Sequence, residues 1–562
     1  MSKKVFLALT VLAAIVMGSV YLNFQNIFSQ GDIGRDLYTF EQVWHGKLVY
    51  KDIWWVYGPL MPYYYGLFFL IFGFKVSSIL LGKLLLNVSC AVFFYLASCL
   101  VMSPFWAFLA ACSFLQFQQD FFFTYNHIGA IAFMLATFWL ILKYLYQGNI
   151  RLGIYAIACC FIIGLIKINF GLSTLVATLG SIALIDFTNP VKNKKLITSE
   201  TKPLYITGLC VVPTLWIMIY TFLFQGLPFY EIRQCMPYFG DDQPYHHGII
   251  ETIPYFITQH YLTFYHHWLN LYAILTALAQ APSHLFNPIA FLMITISVLV
   301  FLTHPMIHGS TIATLIISFS KKFNERRKKF WLTQAVIWLF FILNFHEFLV
   351  SGIWYRTYWS QPFHLFFSFF MIATAACLAP AWLRRTIASL WIALFVCLNF
   401  VSLASHKDSC TPGKFLNIPR GQIYVGNEAP WVDTVNTVST WLNGHLKNDE
   451  LFFALPYDPL YYYLTGKPSP TRQIIFFDHI KIPPRQEISI IQELEKNKVN
   501  YILLSNRVMA NETGLGVFGK TYCPIIYQYL TTNFAPTWRY GGNWNAEPGT
   551  NANHGVIIFK RK

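Results

Sequence analysis

Long apolar stretches recur along most of the chain, from Val5 to Ser405, and they restrict the fold more than any other feature. Each is about 17 to 25 residues long, which is enough for a helix to cross the roughly 30 Å of hydrocarbon in a bilayer. A helix also satisfies its own backbone hydrogen bonds, which lipid cannot do. Hydrophobic residues make up 56% of the chain and charged ones only 12%. The sequence therefore predicts a polytopic α-helical membrane protein and excludes an ordinary soluble enzyme.

The apolar stretches define candidate crossings, and we expect about 11 to 13 transmembrane helices. The candidates are 5–22, 58–74, 77–101, 103–119, 127–146, 151–168, 170–187, 204–225, 286–303, 305–320, 330–349, 362–381 and 386–405. Segment 226–285 mixes Trp, Tyr and His with an apolar stretch, so either a further crossing or an interfacial helix fits it. The first stretch lacks a small-residue cleavage site, so we expect a retained helix rather than a signal peptide.

Basic residues give the chain a formal charge of +15, and their positions decide what that charge means. They cluster between apolar stretches, at Lys192, Lys194 and Lys195, at 321–329, and at Arg384 and Arg385. The positive-inside rule predicts that these loops are cytoplasmic. Membrane lipids are then a secondary partner of the basic residues, and nucleic acid is not expected as one. Loops 23–57 and 350–361 and the tail from residue 406 are predicted to share the opposite, outer face.

The composition changes abruptly after residue 405, where Pro, Gly, Asn and charged residues become frequent. Short runs typical of strands alternate there with amphipathic helical ones. Strands are predicted at Glu450–Leu455, Tyr501–Ser505 and Gly555–Lys560, and helices at Trp431–Leu446 and Arg485–Lys498. The sequence thus predicts two domains, a transmembrane one at 1–405 with its first outer loop at 23–57, and a soluble extracytoplasmic α/β domain at 406–562.

The first outer loop concentrates charge directly beside predicted crossings. Among its charged and ionisable residues are Asp32, Arg35, Asp36, Glu41, His45, Lys51 and Asp52. Polar residues so close to a bilayer are costly to desolvate and often mark a functional site. The alternative is a solvated loop whose Trp and Tyr residues anchor it at the membrane interface.

The order of residues in this loop resembles the GT-C superfamily of membrane glycosyltransferases, which includes protein O-mannosyltransferases and bacterial transferases that add aminoarabinose to lipid A. The superfamily pattern is Asp-Glu-x-x-Tyr, then Gly, a Tyr-x-Asp turn and Pro-Pro-Leu. Its positions are matched here by Asp32, Gly46, Tyr50, Asp52, Pro59 and Leu60. Ile33 replaces the second acid, and Asp36 lies one helical turn further on.

The resemblance implies an inverting enzyme that transfers a sugar from a polyprenyl-phosphate donor to a lipid, glycan or protein acceptor at the outer face. Asp32 is then the candidate general base, with Asp36 as the second candidate. Lys167, in LIKINFG, and Arg356 are candidates to neutralise the leaving phosphate. Each of these two cations could instead be a snorkelling interface anchor. Further candidates for substrate binding are Arg35, Lys51, Asp52 and Tyr57.

The resemblance also indicates a bacterial inner membrane location, with the tail in the periplasm. The superfamily's acidic residue before the fifth crossing is replaced by Tyr125-Asn126-His127, with Asp120 nearby, which argues against a second acidic or metal-linked site. A polytopic transporter or lipid flippase of the cell envelope is the alternative function, and a non-catalytic scaffold is a third. No phosphate-cradling Gly-rich loop occurs in the sequence, which argues against an ATP-driven pump.

Cofactor and disulfide signals are weak in this sequence. Histidine pairs at 246–247 and 266–267, close to Asp241 and Asp242, make a divalent metal a candidate cofactor, although adjacent side chains point in different directions. No metal ligand is therefore assigned. Cys410 and Cys523 lie in the tail and could pair in an oxidising compartment.

Overall fold

A computed structural model of the protein describes most of the chain outside residues 237–324. The described residues are 2–22, 31–117, 125–188, 199–236, 325–347, 359–378, 380–386, 388–389, 392–393, 414–425, 429–506, 516–544 and 553–562. The predicted crossings at 286–303 and 305–320, and most of that at 386–405, lie outside them. Arg356, Cys410, Asp120 and the histidine pairs at 246–247 and 266–267 also lie outside the described residues.

The first part of the chain is helical, and apart from α2 and α10 each helix coincides with a predicted crossing. The helices are α1 (Lys3–Leu22), α2 (Gly31–Gln42), α3 (Leu60–Phe72), α4 (Val76–Ser98), α5 (Pro104–Phe117), α6 (Tyr125–Gln147), α7 (Ile150–Ile166), α8 (Ile168–Thr188), α9 (Lys202–Leu223), α10 (Phe229–Cys235), α11 (Glu325–Asn344) and α12 (Gln361–Leu378). Among the described helices, four are long and apolar enough to cross a membrane, namely α4, α6, α8 and α9. The protein is an integral membrane protein, as predicted.

The apolar helices differ in how much of their surface the bundle covers. In the apolar 18-residue stretch of α6, 83% is buried inside the protein, whereas only 28% of the corresponding stretch of α9 is buried. Helix α6 is therefore central. Helix α9 exposes Ile217, Met218 and Phe222, and an apolar face of this kind on a membrane protein suits contact with lipid tails.

Helices α7 and α8 meet at a break that places Lys167 between them. Asn149 caps the start of α7, since its side-chain oxygen accepts a hydrogen bond of 3.0 Å from the backbone N–H of Arg151. At the other end Lys167 takes an extended conformation, with φ −157° and ψ 110°, and its N–H still donates to the Ile163 carbonyl. The chain then re-enters a helix at Ile168, so the lysine side chain projects from the junction.

The tail contains a four-stranded mixed sheet with helices on both sides. Its elements are β1 (Lys414–Leu416), β2 (Ile423–Val425), α13 (Ala429–His445), β3 (Phe452–Leu455), α14 (Leu460–Thr465), α15 (Pro484–Lys496), β4 (Tyr501–Ser505), α16 (Pro524–Asn533), β5 (Phe534–Gly541) and β6 (Gly555–Arg561). The sheet has the order β3-β4-β6-β5, in which only β3 and β4 are parallel. All three predicted strands and both predicted helices occur here within about two residues of their predicted ends.

Alternate residues of β3 face two different apolar cores. Phe452 and Ala454 belong to a buried cluster that also includes residues of the helical bundle, whereas Phe453 and Leu455 face a separate cluster made by the tail alone. One face of the sheet thus continues the core of the bundle. The solubility of the tail and the boundary at residue 405 remain predictions.

Helix α2 is in close contact with the start of α14 in the tail. A Cβ atom added to Gly34 would lie 2.5 Å from the backbone nitrogen of Leu460 and 2.8 Å from its Cα. Only glycine allows two backbones to approach this closely.

We expect Gly34→Ala to push α2 away from the tail, and to lower the free energy of unfolding by about 1–3 kcal/mol because backbone atoms cannot yield. Thermal unfolding of the detergent-solubilised protein measures this loss. Gly444→Ala is the control, since Gly444 is also helical but no atom lies within 4 Å of its added Cβ. Equal melting temperatures for the two variants would contradict the close contact.

Candidate active site

Part of the first outer loop folds into helix α2, which lies between the bundle and the tail. Every residue of α2 is buried except Asp32, whose side chain is 49% exposed. The tail reaches this helix at three points besides Gly34. The Arg420 guanidinium pairs with Glu41 at 2.6 Å, the backbone N–H of Ser469 donates to the Tyr38 hydroxyl at 2.8 Å, and Tyr457 packs against Gly31. Residues 31–42 therefore differ from the solvated loop considered from the sequence.

Arg35 joins the two candidate catalytic aspartates. Its Nη1 donates to Asp32 Oδ1 at 2.8 Å, while its Nε and Nη2 donate to Asp36 Oδ1 at 3.0 Å and 2.8 Å. The i, i+3 spacing on α2 places Asp32 and Arg35 on one face of the helix. The other oxygen of Asp36 accepts a hydrogen bond of 3.2 Å from the side-chain amide of Asn126, at the start of α6.

The two aspartates differ in exposure and in hydrogen bonding. Asp36 is only 7% exposed, and both of its oxygens accept hydrogen bonds. Asp32 is half-exposed, and no described residue donates to its Oδ2. Asp32 can therefore accept a proton from an incoming molecule without losing its bond to Arg35, whereas Asp36 is suited to hold Arg35 in place.

Tyr57 connects this group to Lys167. The centre of its ring lies 5.2 Å from Arg35 Cζ and 5.9 Å from Lys167 Nζ, so both cations face one aromatic ring. The ring is held there because the N–H of Gly58 donates to the Ile166 carbonyl at 2.7 Å. A Cβ on Gly58 would lie 2.1 Å from the Leu165 carbonyl oxygen, so a larger residue would prevent this approach to the end of α7.

Lys167 forms an ion pair with Glu347, just beyond the end of α11. Both side chains are largely shielded from water, with 13% of Lys167 and 3% of Glu347 exposed. The lysine ammonium also lies 5.0 Å from the ring centre of Trp359 and 5.2 Å from that of Phe170. Lys167 is thus enclosed among aromatic rings with a counter-ion, which differs from the snorkelling anchor considered as an alternative.

The structure brings together Asp32, Arg35, Asp36, Tyr57 and Lys167 among the predicted site residues. Lys51 is exposed, and Asp52 accepts a hydrogen bond of 2.8 Å from the backbone N–H of Leu48, within the same turn. Among the described residues, no hydrogen bond or ion pair joins Lys51 or Asp52 to the other five. The position of Arg356 lies outside the described residues.

Three site residues were not found from the sequence: Glu347, Asn169 and the partner of Asp36, Asn126. Glu347 and His346 interrupt the predicted crossing 330–349, and ionisable residues inside a crossing are a signal of function that would have found them. Asn169 contacts both, with its Nδ2 at 2.8 Å from His346 Nε2 and 3.4 Å from Glu347 Oε1. Asn126 was noted only as the replacement of an acidic residue.

Metal binding and the tail disulfide were both left open by the sequence. Within the described ranges, no group of three or more His, Cys, Asp or Glu side chains is placed to hold a metal ion. Cys523 is buried in the tail's own core, and its pairing with Cys410 remains a prediction.

The comparisons with known proteins give similarity to solved structures only. No family model matches the chain, and no curated protein matches it. ArnT from Cupriavidus metallidurans in the apo state is 12% identical with a TM-score of 0.48, over 99% of this chain and 98% of that one. The same protein bound to undecaprenyl phosphate is 11% identical with a TM-score of 0.45, over 98% and 97%.

A third solved structure is the archaeal oligosaccharyltransferase AglB from Archaeoglobus fulgidus, in complex with an inhibitory peptide and a dolichol-phosphate. It is 11% identical with a TM-score of 0.44, over 99% of this chain and 74% of that one. At such identities the neighbours assign no role to any residue.

Burial raises the pKa of the Asp36 carboxyl from an ordinary 3.8 to about 7, and the Arg35 guanidinium opposes that rise. Between these two values the folded protein holds a proton that the unfolded chain has lost. The free energy of unfolding therefore falls as pH rises through this window, by at most about 1.4 kcal/mol per pH unit.

We expect Asp36→Asn to remove this pH dependence. Wild type should lose stability relative to the variant between about pH 5 and pH 7, and the difference should stay constant above about pH 7.5. Melting temperatures of both proteins across this range measure the effect, with Asp449→Asn, an exposed aspartate of the tail, as control. A difference that does not change with pH would show that Asp36 is ionised throughout.

Proposed function

We propose that this protein is a membrane glycosyltransferase of the GT-C type, which transfers a sugar from a polyprenyl-phosphate donor to a lipid, glycan or protein acceptor. The proposal rests on one observation. The ring of Tyr57 lies next to both Lys167 and the Asp32–Arg35–Asp36 group. One side offers a carboxylate that can act as a base, and the other offers a buried cation. The pattern of the first outer loop supports the same reading.

The donor phosphate needs positive charge at the moment its bond to the sugar breaks. The electron pair of that carbon–oxygen bond passes to the phosphate oxygen, so negative charge grows on the lipid phosphate. Lys167 and Arg356 are the proposed ligands of this oxygen, and the first of them is already shielded from water. A cation counts for more in such surroundings than in bulk solvent. No nucleotide is required, because the lipid phosphate is itself the leaving group.

The acceptor needs a base on the side opposite the leaving phosphate. Asp32 is the proposed base, since its Oδ2 accepts no hydrogen bond from the described residues. It takes the proton of the acceptor hydroxyl or amine as that atom bonds to the sugar carbon, which is a single displacement with inversion. Arg35 and Asp36 are proposed to hold Asp32 in position. Tyr57 is proposed to hold Arg35 on the side of the site that faces Lys167. Lys51 and Asp52 remain proposed contacts to substrate further along the loop.

The reaction is proposed to take place at the extracytoplasmic face, in a bacterial inner membrane with the tail in the periplasm. The basic loops at 192–195 and 384–385 support this orientation through the positive-inside rule. The sugar is proposed to be a hexose or a pentose.

Asp32→Asn should lower transfer by about 10²–10⁴-fold, because the amide keeps the shape of the carboxyl but cannot accept a proton. The measurement is mass spectrometry of envelope lipids, glycans and proteins from cells with wild type, with Asp32→Asn and with the gene deleted. A hexose- or pentose-sized mass should disappear equally from the last two strains.

Asp449→Asn is the matched control, since it makes the same chemical change at an exposed site of the tail and should leave the product intact. Immunoblots of membrane fractions verify that each variant is present. Identical products from wild type, Asp32→Asn and the deletion strain, with the variant present in the membrane, would reject the transferase and favour the transporter or flippase.

A further inference from the structure

The ion pair between Lys167 and Glu347 competes with the binding of a phosphate to Lys167. The candidate phosphate ligand already has a counter-ion, and that counter-ion is a carboxylate with only 3% of its side chain exposed. A lipid phosphate that approaches Lys167 must therefore share the lysine with Glu347 or replace it. Two anions around one ammonium repel each other strongly when water is excluded.

The charges of the neighbouring side chains add to this competition for Lys167. Its described members are two cations, Arg35 and Lys167, and three carboxylates, Asp32, Asp36 and Glu347. The described members of the site therefore carry no excess of positive charge for a phosphate to neutralise.

The reaction also changes the charge of the phosphate. The donor is a phosphodiester with one negative charge, and the product is a phosphomonoester that carries close to two at neutral pH. A fixed carboxylate beside the phosphate therefore repels the product more than the donor. Hydrogen bonds restrain Glu347, because the Asn169 side-chain amide lies 3.4 Å from Glu347 Oε1 and 2.8 Å from Nε2 of the neighbouring His346.

We propose that Glu347 is the counter-ion that gives up Lys167 to the donor phosphate and then expels the polyprenyl phosphate product. This rests on the proposed function, and it makes Glu347 a positioning residue that acts through Lys167. The proposal predicts that the Glu347 carboxylate weakens phosphate binding. The effect is predicted to be larger for a phosphomonoester than for a phosphodiester.

The test compares two probes on the full-length protein in detergent at about pH 8, undecaprenyl phosphate and its methyl diester. Glu347→Gln should bind undecaprenyl phosphate at least about tenfold more tightly than wild type, and the diester by a smaller factor. Glu347→Asp keeps the charge and should stay within about twofold of wild type for both probes. Wild type alone should bind the diester more tightly than the monoester, which keeps the test valid if the glutamine variant does not fold.

Equal or weaker binding of both probes by Glu347→Gln, or tighter binding of the monoester by wild type, would overturn the role of Glu347. Lys167→Met separates this from failure of the proposed function. If wild type and Lys167→Met bind undecaprenyl phosphate equally, Lys167 is not the phosphate ligand and the proposed site is wrong. If Lys167→Met alone loses binding while Glu347→Gln does not gain it, only the counter-ion role is rejected.

Discussion

The buried charge of Arg35 is the constraint around which this site is built. Only 4% of its side chain is exposed, so the protein itself must replace the water that a guanidinium would otherwise bind. Two aspartates accept hydrogen bonds from its N–H groups. The ring centres of Trp55 and Tyr57 lie 5.3 Å and 5.2 Å from its Cζ. These four partners come from α2 and from the segment that follows it. The loop is therefore fixed by the need to solvate one cation.

The tail completes what the loop begins. Arg420 neutralises Glu41 on α2, and the Arg472 side chain donates to the Tyr50 carbonyl while its own carbonyl accepts from the N–H of Trp54 at 3.0 Å. Arg472 also pairs with Glu231 on α10 at 2.6 Å. Polar groups of the first outer loop, of the region after α9 and of the tail thus bind one another, and the tail forms one wall of the site.

The sequence predicted the parts of this architecture that depend on local pattern. Apolar length located the bundle helices, and short strand-like runs located β3, β4 and β6, because burial acts directly on each of these segments. Strand β5 was missed, since Pro536 and the exposed residues around it obscure an edge strand. The site was only partly predicted. Asp32, Arg35 and Asp36 share a helix, but Asn126, Lys167 and Glu347 come from segments distant in sequence, and no local pattern shows which of them meet.

The burial of α2 beneath the tail also bears on how the protein is made. Residues 31–42 are synthesised early, whereas the segments that cover them, from Arg420 to Arg472, follow after the last described bundle helix. Until those segments have folded, Glu41 on α2 lacks its ion pair with Arg420, and Gly34 has no partner backbone. The part of the chain that covers α2 is therefore synthesised after it, and among the described residues Asp32, Arg35, Asp36, Tyr57 and Lys167 all come from outside that part.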